Sequence, residues 1–309
     1  MSSQLTLRLP WEPAMAEGSL PAAVDTVVAA WAVDATMSEQ TLDKFALLTR
    51  RFARFAAAHD ITTLDAADAD LVTKFVAAKG RTRHGVVGPA AVATMHNRRA
   101  ALRAFFRTSR RLGLTLDDPT TDIAVPDREA STLRPLHDDE AALVRLFSEH
   151  ATPTRHAATT ALLLAGAHTS ELGYIRISDI DTTVHTARAH GSTKHRARHL
   201  PLDTWARRVI YQRIAHLTQQ RASAETIICT GSDGSDAQRQ ARVCVTVRDV
   251  LTRAGLTGTA GIKPSSLTAH AARRVFNDTG RIEAAAQLTG SSSLDSTATL
   301  IGYRWCQDD

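Results

Sequence analysis

Residues 162–172 read LLLAGAHTSEL: an apolar run, a glycine, a polar turn and an acidic residue. The run closes a helical pattern that begins near residue 154, and Gly166 gives the backbone the freedom to leave it. Ala167, His168, Thr169 and Ser170 form a polar corner, and Glu171-Leu172 lie in what reads as a short helix from about residue 169. A titratable side chain, His168, stands at the corner. Whether it carries chemistry depends on what surrounds it.

Downstream, two strand-like segments near Val184–Arg188 and Ala197–Leu200 flank the turn His190-Gly191-Ser192. A helix over 203–218, a short Ile227–Cys229 strand and the polar loop GSDGSD (231–236) follow. Helical patterns over 239–254, 266–278, 282–289 and 293–301 close the chain, and one over 137–149 precedes the corner. Upstream again, residues 117–136 hold three prolines and no periodic pattern, which reads as an interdomain linker.

Before the linker the pattern is helical. Phe45, Leu48, Phe52 and Phe55 recur at three and four, while Lys44, Arg50, Arg51 and Arg54 take other faces. Asp65–Ala78 reads as a helix opened by acidic residues, and GRTRHGVVGP (80–89) as a Gly/Arg loop. A longer helix over Ala90–Leu112 turns Val92, Met95, Leu102, Phe105 and Phe106 to a core and its arginines to another side. These aromatics read as core, not as platforms for base stacking. The expected class is mainly α with a small β-sheet, in two domains: an arm over 1–20, a helical domain over 21–116, the linker over 117–136 and a mixed α/β domain over 137–309.

A chain of 309 residues with 43% apolar and 22% charged residues is sized and composed for folded domains. Its apolar runs are too short and too interrupted by Thr to span a bilayer, and MSSQLTLRLPWEP lacks the pattern of a secretory signal. Cys229, Cys244 and Cys306 show no metal spacing and read as small core residues of a reducing cytoplasm. The net charge of +5 is unevenly spread. Leu71 through Leu116 hold no Asp or Glu but carry Lys74, Lys79, Arg81, Arg83, Arg98, Arg99, Arg103, Arg107, Arg110 and Arg111. A polyanion is the partner such clustering rewards, through phosphate neutralisation and counterion release.

Four segments of the second half carry a resemblance. GAHTSELGYIRISDID (166–181) resembles the Gly-x-Arg-x-x-Glu-Leu box of the tyrosine recombinase, or phage integrase, family. GSTKHRARHLPL (191–202) resembles that family's lysine-bearing β-hairpin followed by Arg-x-x-Pro-Leu. LTAHAARRVF (267–276) resembles its His-x-x-Arg box, and LTGSSSLDSTATLIGY (288–303) its end segment with Gly-His and Tyr. The first half resembles the family's helical core-binding domain, so the resemblance spans about residues 25–303.

What the resemblance implies is a tyrosine hydroxyl attacking a DNA phosphodiester to give a 3′-phosphotyrosine. Two arginines would clamp the phosphate, a lysine would protonate the leaving hydroxyl, and histidine or tryptophan would assist, with no metal and no cofactor. By position Lys194, His270 and Arg273 match, and Glu171 supports the site from behind. His168 stands where the first arginine belongs and Ser291 at the later His/Trp position. The nucleophile's position falls on Leu300. Tyr303, about one helical turn later, is the only plausibly placed tyrosine.

A neutral histidine is a poor replacement for a permanently charged planar fork. The expectation is therefore a DNA-binding protein with a degenerate recombinase site, acting as a site-specific regulator or accessory factor. The alternative is an active recombinase working through Tyr303. Double-stranded DNA is the expected partner, with self-association on it and no membrane. Arg81, Arg83, Arg98, Arg99, Arg103, Arg107, Arg110, Arg198 and Arg274 are the expected DNA-binding residues. A cytoplasmic, nucleoid-associated protein of bacterial or phage origin fits this reading.

Overall fold

The computed structural model describes residues 18–35, 37–81, 85, 87–127, 133–150, 155–192, 194–231 and 234–303. The chain divides into two units, Met1–Ala130 and Ser131–Asp309.

Unit one is built on helices α1 (Leu20–Asp34), α2 (Glu39–Ala57), α3 (Ala69–Ala77) and α4 (Val92–Arg111). Side chains cap three of their N-termini: Ser19 accepts from the Ala22 amide, Ser38 from Thr41 and Asp68 from Leu71. The Asp68 cap starts α3 four residues later than the acidic run suggests. The aromatics are core, as expected: Phe52, Phe105 and Phe106 are fully buried, and Phe52 meets Phe75 and Phe106 edge-to-face at 5.3 and 6.2 Å. Trp31 joins them, its Nε1 donating to Thr108 Oγ1 at 2.9 Å.

The Gly/Arg loop contains a small hairpin, β1 (Gly80–Arg81) with β2 (Val87–Gly88), pairing antiparallel. Arg98 Nη1 donates to the carbonyls of Phe75, Val76 and Ala78, closing the C-terminal end of α3. Arg99 donates to Ile123 O, and Arg103 to Thr120 O and Thr121 O. These bonds hold the first part of the Pro-rich segment on unit one, where Ile123 is buried.

Unit two sets helices around a three-stranded antiparallel sheet. α5 (Asp138–Glu149) and α6 (Arg155–Leu164) precede strands β3 (Ile180–Asp181), β4 (Thr186–Ala189) and β5 (Arg198–Pro201). α7 (Thr204–Gln219), α8 (Asp236–Arg253), α9 (Ser266–Thr279), α10 (Ile282–Thr289) and α11 (Leu294–Ile301) follow. α6 is buried along its length from His156 to Leu164, so it forms the centre of the unit and delivers the corner at Gly166 from a rigid base. β4 and β5 pair Ala187 with Leu200 and Ala189 with Arg198, and Ala187, Ala189 and Leu200 are buried.

The structure corrects two local expectations. The helix expected from residue 169 is a run of turns: its backbone closes over three residues, the Glu171 amide donating to His168 O and the Tyr174 amide to Glu171 O, both at 2.9 Å, while the Glu171 carboxylate accepts from the His168 amide at 2.8 Å. The strand expected at Ile227–Cys229 is a single bridge between Arg176 and Ile227, since Ile227 O is taken by the Gly231 amide as the chain turns. β1, β2 and β3 are strands the sequence pattern did not signal. No helix among the described residues is long and apolar enough to cross a membrane.

Candidate functional site

The corner is locked from three directions. Gly166 has φ +104°, and a Cβ there would meet Leu288 Cγ at 2.8 Å, so only glycine lets the end of α10 approach so closely. Thr268 on α9 donates its hydroxyl to Ala167 O at 2.6 Å, tying the corner to the segment that carries His270 and Arg273. From the sheet, β5 sends Arg198 inward. Its guanidinium donates from Nη1 and Nη2 to the two Glu171 oxygens at 2.7 and 2.9 Å. Nε donates to Leu288 O at 2.6 Å, Nη2 also to Gly166 O at 2.8 Å, and Nη1 also to Arg196 O at 3.2 Å.

A guanidinium has five N–H donors, and these five bonds use them all. The Arg198 and Glu171 side chains are 8% and 2% exposed. Burial alone would push the Glu171 carboxyl up; the bonds and charge of Arg198 and the His168 amide outweigh it and hold it below the usual carboxylate value. Arg198 is thus the charge partner of Glu171 and a brace among three chain segments. The expectation that it contacts DNA is corrected: no donor is left to reach a phosphate.

His168 does not replace the missing fork. Its Nε2 donates to Thr289 O at 3.0 Å, and its ring lies flat on that of His195, centroids 3.6 Å apart. Burial first and the His195 ring second push its pKa down to about 4, so at neutral pH the ring is uncharged. The corner therefore offers no cation where the resemblance places an arginine.

The remaining positions vary. Lys194 is exposed on the hairpin, and its amide donates to Ser192 Oγ at 3.1 Å. Ser291 turns its hydroxyl onto Ser293 O at 2.9 Å, within its own turn, while its backbone bridges to His195. His270 is buried, with Nδ1 donating to Leu136 O at 2.9 Å, and burial holds its pKa below the usual value. Leu300 packs with Ala272, Ala285, Ile301 and Phe276 in a small apolar cluster. Arg273 donates to Asn277 Oδ1 and, at 2.8 Å, to Ile301 O. The Tyr303 ring sits against Phe276 at 5.0 Å, so Tyr303 and Arg273 flank one aromatic, with Tyr303 40% exposed.

The expected DNA-binding arginines divide. Arg107, Arg110 and Arg274 are exposed, Arg110 lying 3.9 Å from Asp118. Arg98, Arg99 and Arg103 hold their own unit's carbonyls, as described above. Arg81 lies in β1, and Arg83 falls outside the described residues. Sequence reasoning missed the roles of Arg198 and His195. A signal existed for the first: Arg198 has the same strand parity as Leu200, which faces the core. For His195, whose partner lies 27 residues away, no local pattern gives one. Among the described residues no group of three or more His, Cys, Asp or Glu is placed to hold a metal.

No protein-family model and no curated protein matches the sequence. Solved structures do match. A lambda integrase dimer bound to a COC′ core site superposes with TM-score 0.67 at 14% identity, over 94% of this chain and 80% of that one. A Tn1549 transposon integrase in complex with a circular intermediate DNA gives TM-score 0.60 at 15% identity, over 93% and 96%. At such identities the likeness speaks to architecture. It extends over both units and bears out the resemblance carried by the four sequence segments: the chain has the tyrosine recombinase fold.

Proposed function

We propose that this chain is a double-stranded DNA-binding protein that uses the recombinase fold to hold a specific duplex, as a regulator or accessory factor, without breaking it. The observation that carries this reading is the corner: His168 is uncharged, and Arg198, the cation beside it, has every donor engaged inside the protein. Losing one preorganised donor to a developing oxyanion typically costs about 10²–10³ in rate. Here the altered Ser291 and Leu300 positions compound that loss. Binding has different needs. Exposed Arg107, Arg110, Arg274 and Lys194 serve phosphate contact whether or not a bond is cut.

The integrases of similar fold were solved on DNA, lambda integrase as a dimer and as a tetramer on a Holliday junction, which supports self-association on the duplex as part of this proposal. An active recombinase is the second reading. It is favoured by Tyr303 sharing the Phe276 ring with Arg273.

Titrating the purified chain with a duplex at several salt concentrations tests the holding function. The affinity is expected to fall at least about tenfold between roughly 50 and 200 mM salt, linearly in the logarithms, as two or more phosphates are neutralised. Binding that is absent, or indifferent to salt, contradicts the proposal.

A further inference from the structure

The backbone of His195 is fixed on both sides, yet the residue has no role in the brace around Arg198. Its backbone bridges antiparallel to Ser291, and the neighbouring Arg196 amide donates to Gly290 O at 2.8 Å. Gly290 has φ +68°, and a Cβ there would meet Arg196 O at 2.7 Å, so this close crossing requires glycine. The amide of His195 donates to Ser192 Oγ at 3.2 Å, beside the bond from the Lys194 amide to the same oxygen. One face of the ring is covered by His168, with the planes 15° apart.

The two ring nitrogens have different surroundings. Nδ1 is buried and has no hydrogen-bond partner among the described residues. Nε2 makes no hydrogen bond among them either, but it is not buried. An orphaned buried N–H is rarer and costlier than an under-used acceptor, so the ring keeps its lone pair on Nδ1 and its proton on Nε2. Burial also holds the His195 pKa below the usual value, against the opposing pull of Glu171 and with Arg198 and Lys194 adding to the drop. The ring is then a neutral donor.

His195 lines a cleft of about 340 Å³ together with His190, Ser192, Lys194, Arg196, Ala197 and Ser292. The Ser192 hydroxyl accepts from two amides, which leaves its own proton free to donate outward. A neutral N–H, a hydroxyl and an ammonium around one cleft suit a tetrahedral oxyanion.

We infer that His195 adds a neutral donor, Nε2, to the backbone phosphate of the duplex that Lys194 neutralises. This rests on the DNA-holding reading and extends it to a further residue. The two residues have different signatures. His195 orients the phosphate and releases no counterion; Lys194 neutralises it.

The test compares His195→Phe, which keeps the stacked ring and removes the donor, with Lys194→Gln, in binding of a duplex across a salt series. His195→Phe is expected to weaken binding by about tenfold or more with an unchanged salt slope, the loss of a hydrogen bond to a charged group. Lys194→Gln is expected to lower the slope by about one. His195→Gln, which keeps an N–H donor at a similar reach, is expected to bind more tightly than His195→Phe.

Wild-type affinity in His195→Phe overturns the His195 contact while leaving the DNA reading intact. A wild-type chain with no salt-dependent duplex binding overturns that reading and the contact with it. Should His195→Phe fail to fold, the ring ¹⁵N signals of His195 in the wild type decide: they shift on duplex addition if the contact is real, and unmoved signals overturn it.

Discussion

Arg198→Met is expected to destabilise the protein by about 3–5 kcal/mol, measured by urea unfolding. The side chain replaced is 8% exposed and pairs with a carboxylate that is 2% exposed. Removing it leaves Glu171 buried with its two charged bonds gone and only the His168 amide as partner. It also frees the carbonyls of Gly166 and Leu288, which Arg198 joins across the corner and the end of α10. The loss should arise mainly from the stranded charge, so a compensating change can separate the causes. In Arg198→Met combined with Glu171→Leu most of the stability should return, since a buried pair replaced by apolar groups is often neutral. A loss below about 1 kcal/mol in the single variant contradicts the brace.

Between about pH 6.5 and pH 4 the wild type should lose about 3 kcal/mol of stability that His168→Gln does not lose. The folded-state pKa of His168 is pushed down to about 4, against an ordinary value near 6.5. Above pH 6.5 the ring is neutral in both states and contributes no pH dependence. As pH falls the unfolded chain takes up the proton first, so stability drops, and the effect is complete once the folded ring titrates near pH 4. Burial likewise lowers His156, His195 and His270, and all three remain in the variant, so the difference between the two curves reports His168 together with its coupling to the stacked His195 ring. Gln keeps a donor for Thr289 O and no titrating group. A difference that stays flat from pH 7 to pH 4 shows that folding does not lower the His168 pKa, so that the ring is free to take a proton as the pH falls through its ordinary range.

Much of the fold was legible because its signals are local. Periodic apolar positions placed the helices to within a few residues, and the Pro-rich stretch marked where the pattern breaks. The site was legible in outline, through four segments in order. What escaped depends on contacts between distant residues. Glu171 reads as a helix-forming residue, but residues 169–174 close as successive turns and its carboxylate is held by Arg198, 27 residues on, which no spacing shows. Arg98, Arg99 and Arg103 read as a basic face on periodicity. Their reach is long enough to find carbonyls of α3 and of residues 120–123, and no spacing rule reveals that. Arg198 is the instructive case. Its charge suggested DNA, while its strand parity with Leu200 pointed to the interior, and burial with Glu171 follows the parity.

The central claim, that this site holds DNA and does not cut it, is tested most directly by a covalent-trapping assay. A bound site is first selected from random duplexes. It is then presented as a nicked suicide substrate whose cleavage would release a short fragment and prevent religation. The account predicts a retarded, salt-sensitive complex and no protein–DNA adduct that survives denaturation. An adduct formed by the wild-type chain and abolished in Tyr303→Phe would contradict it.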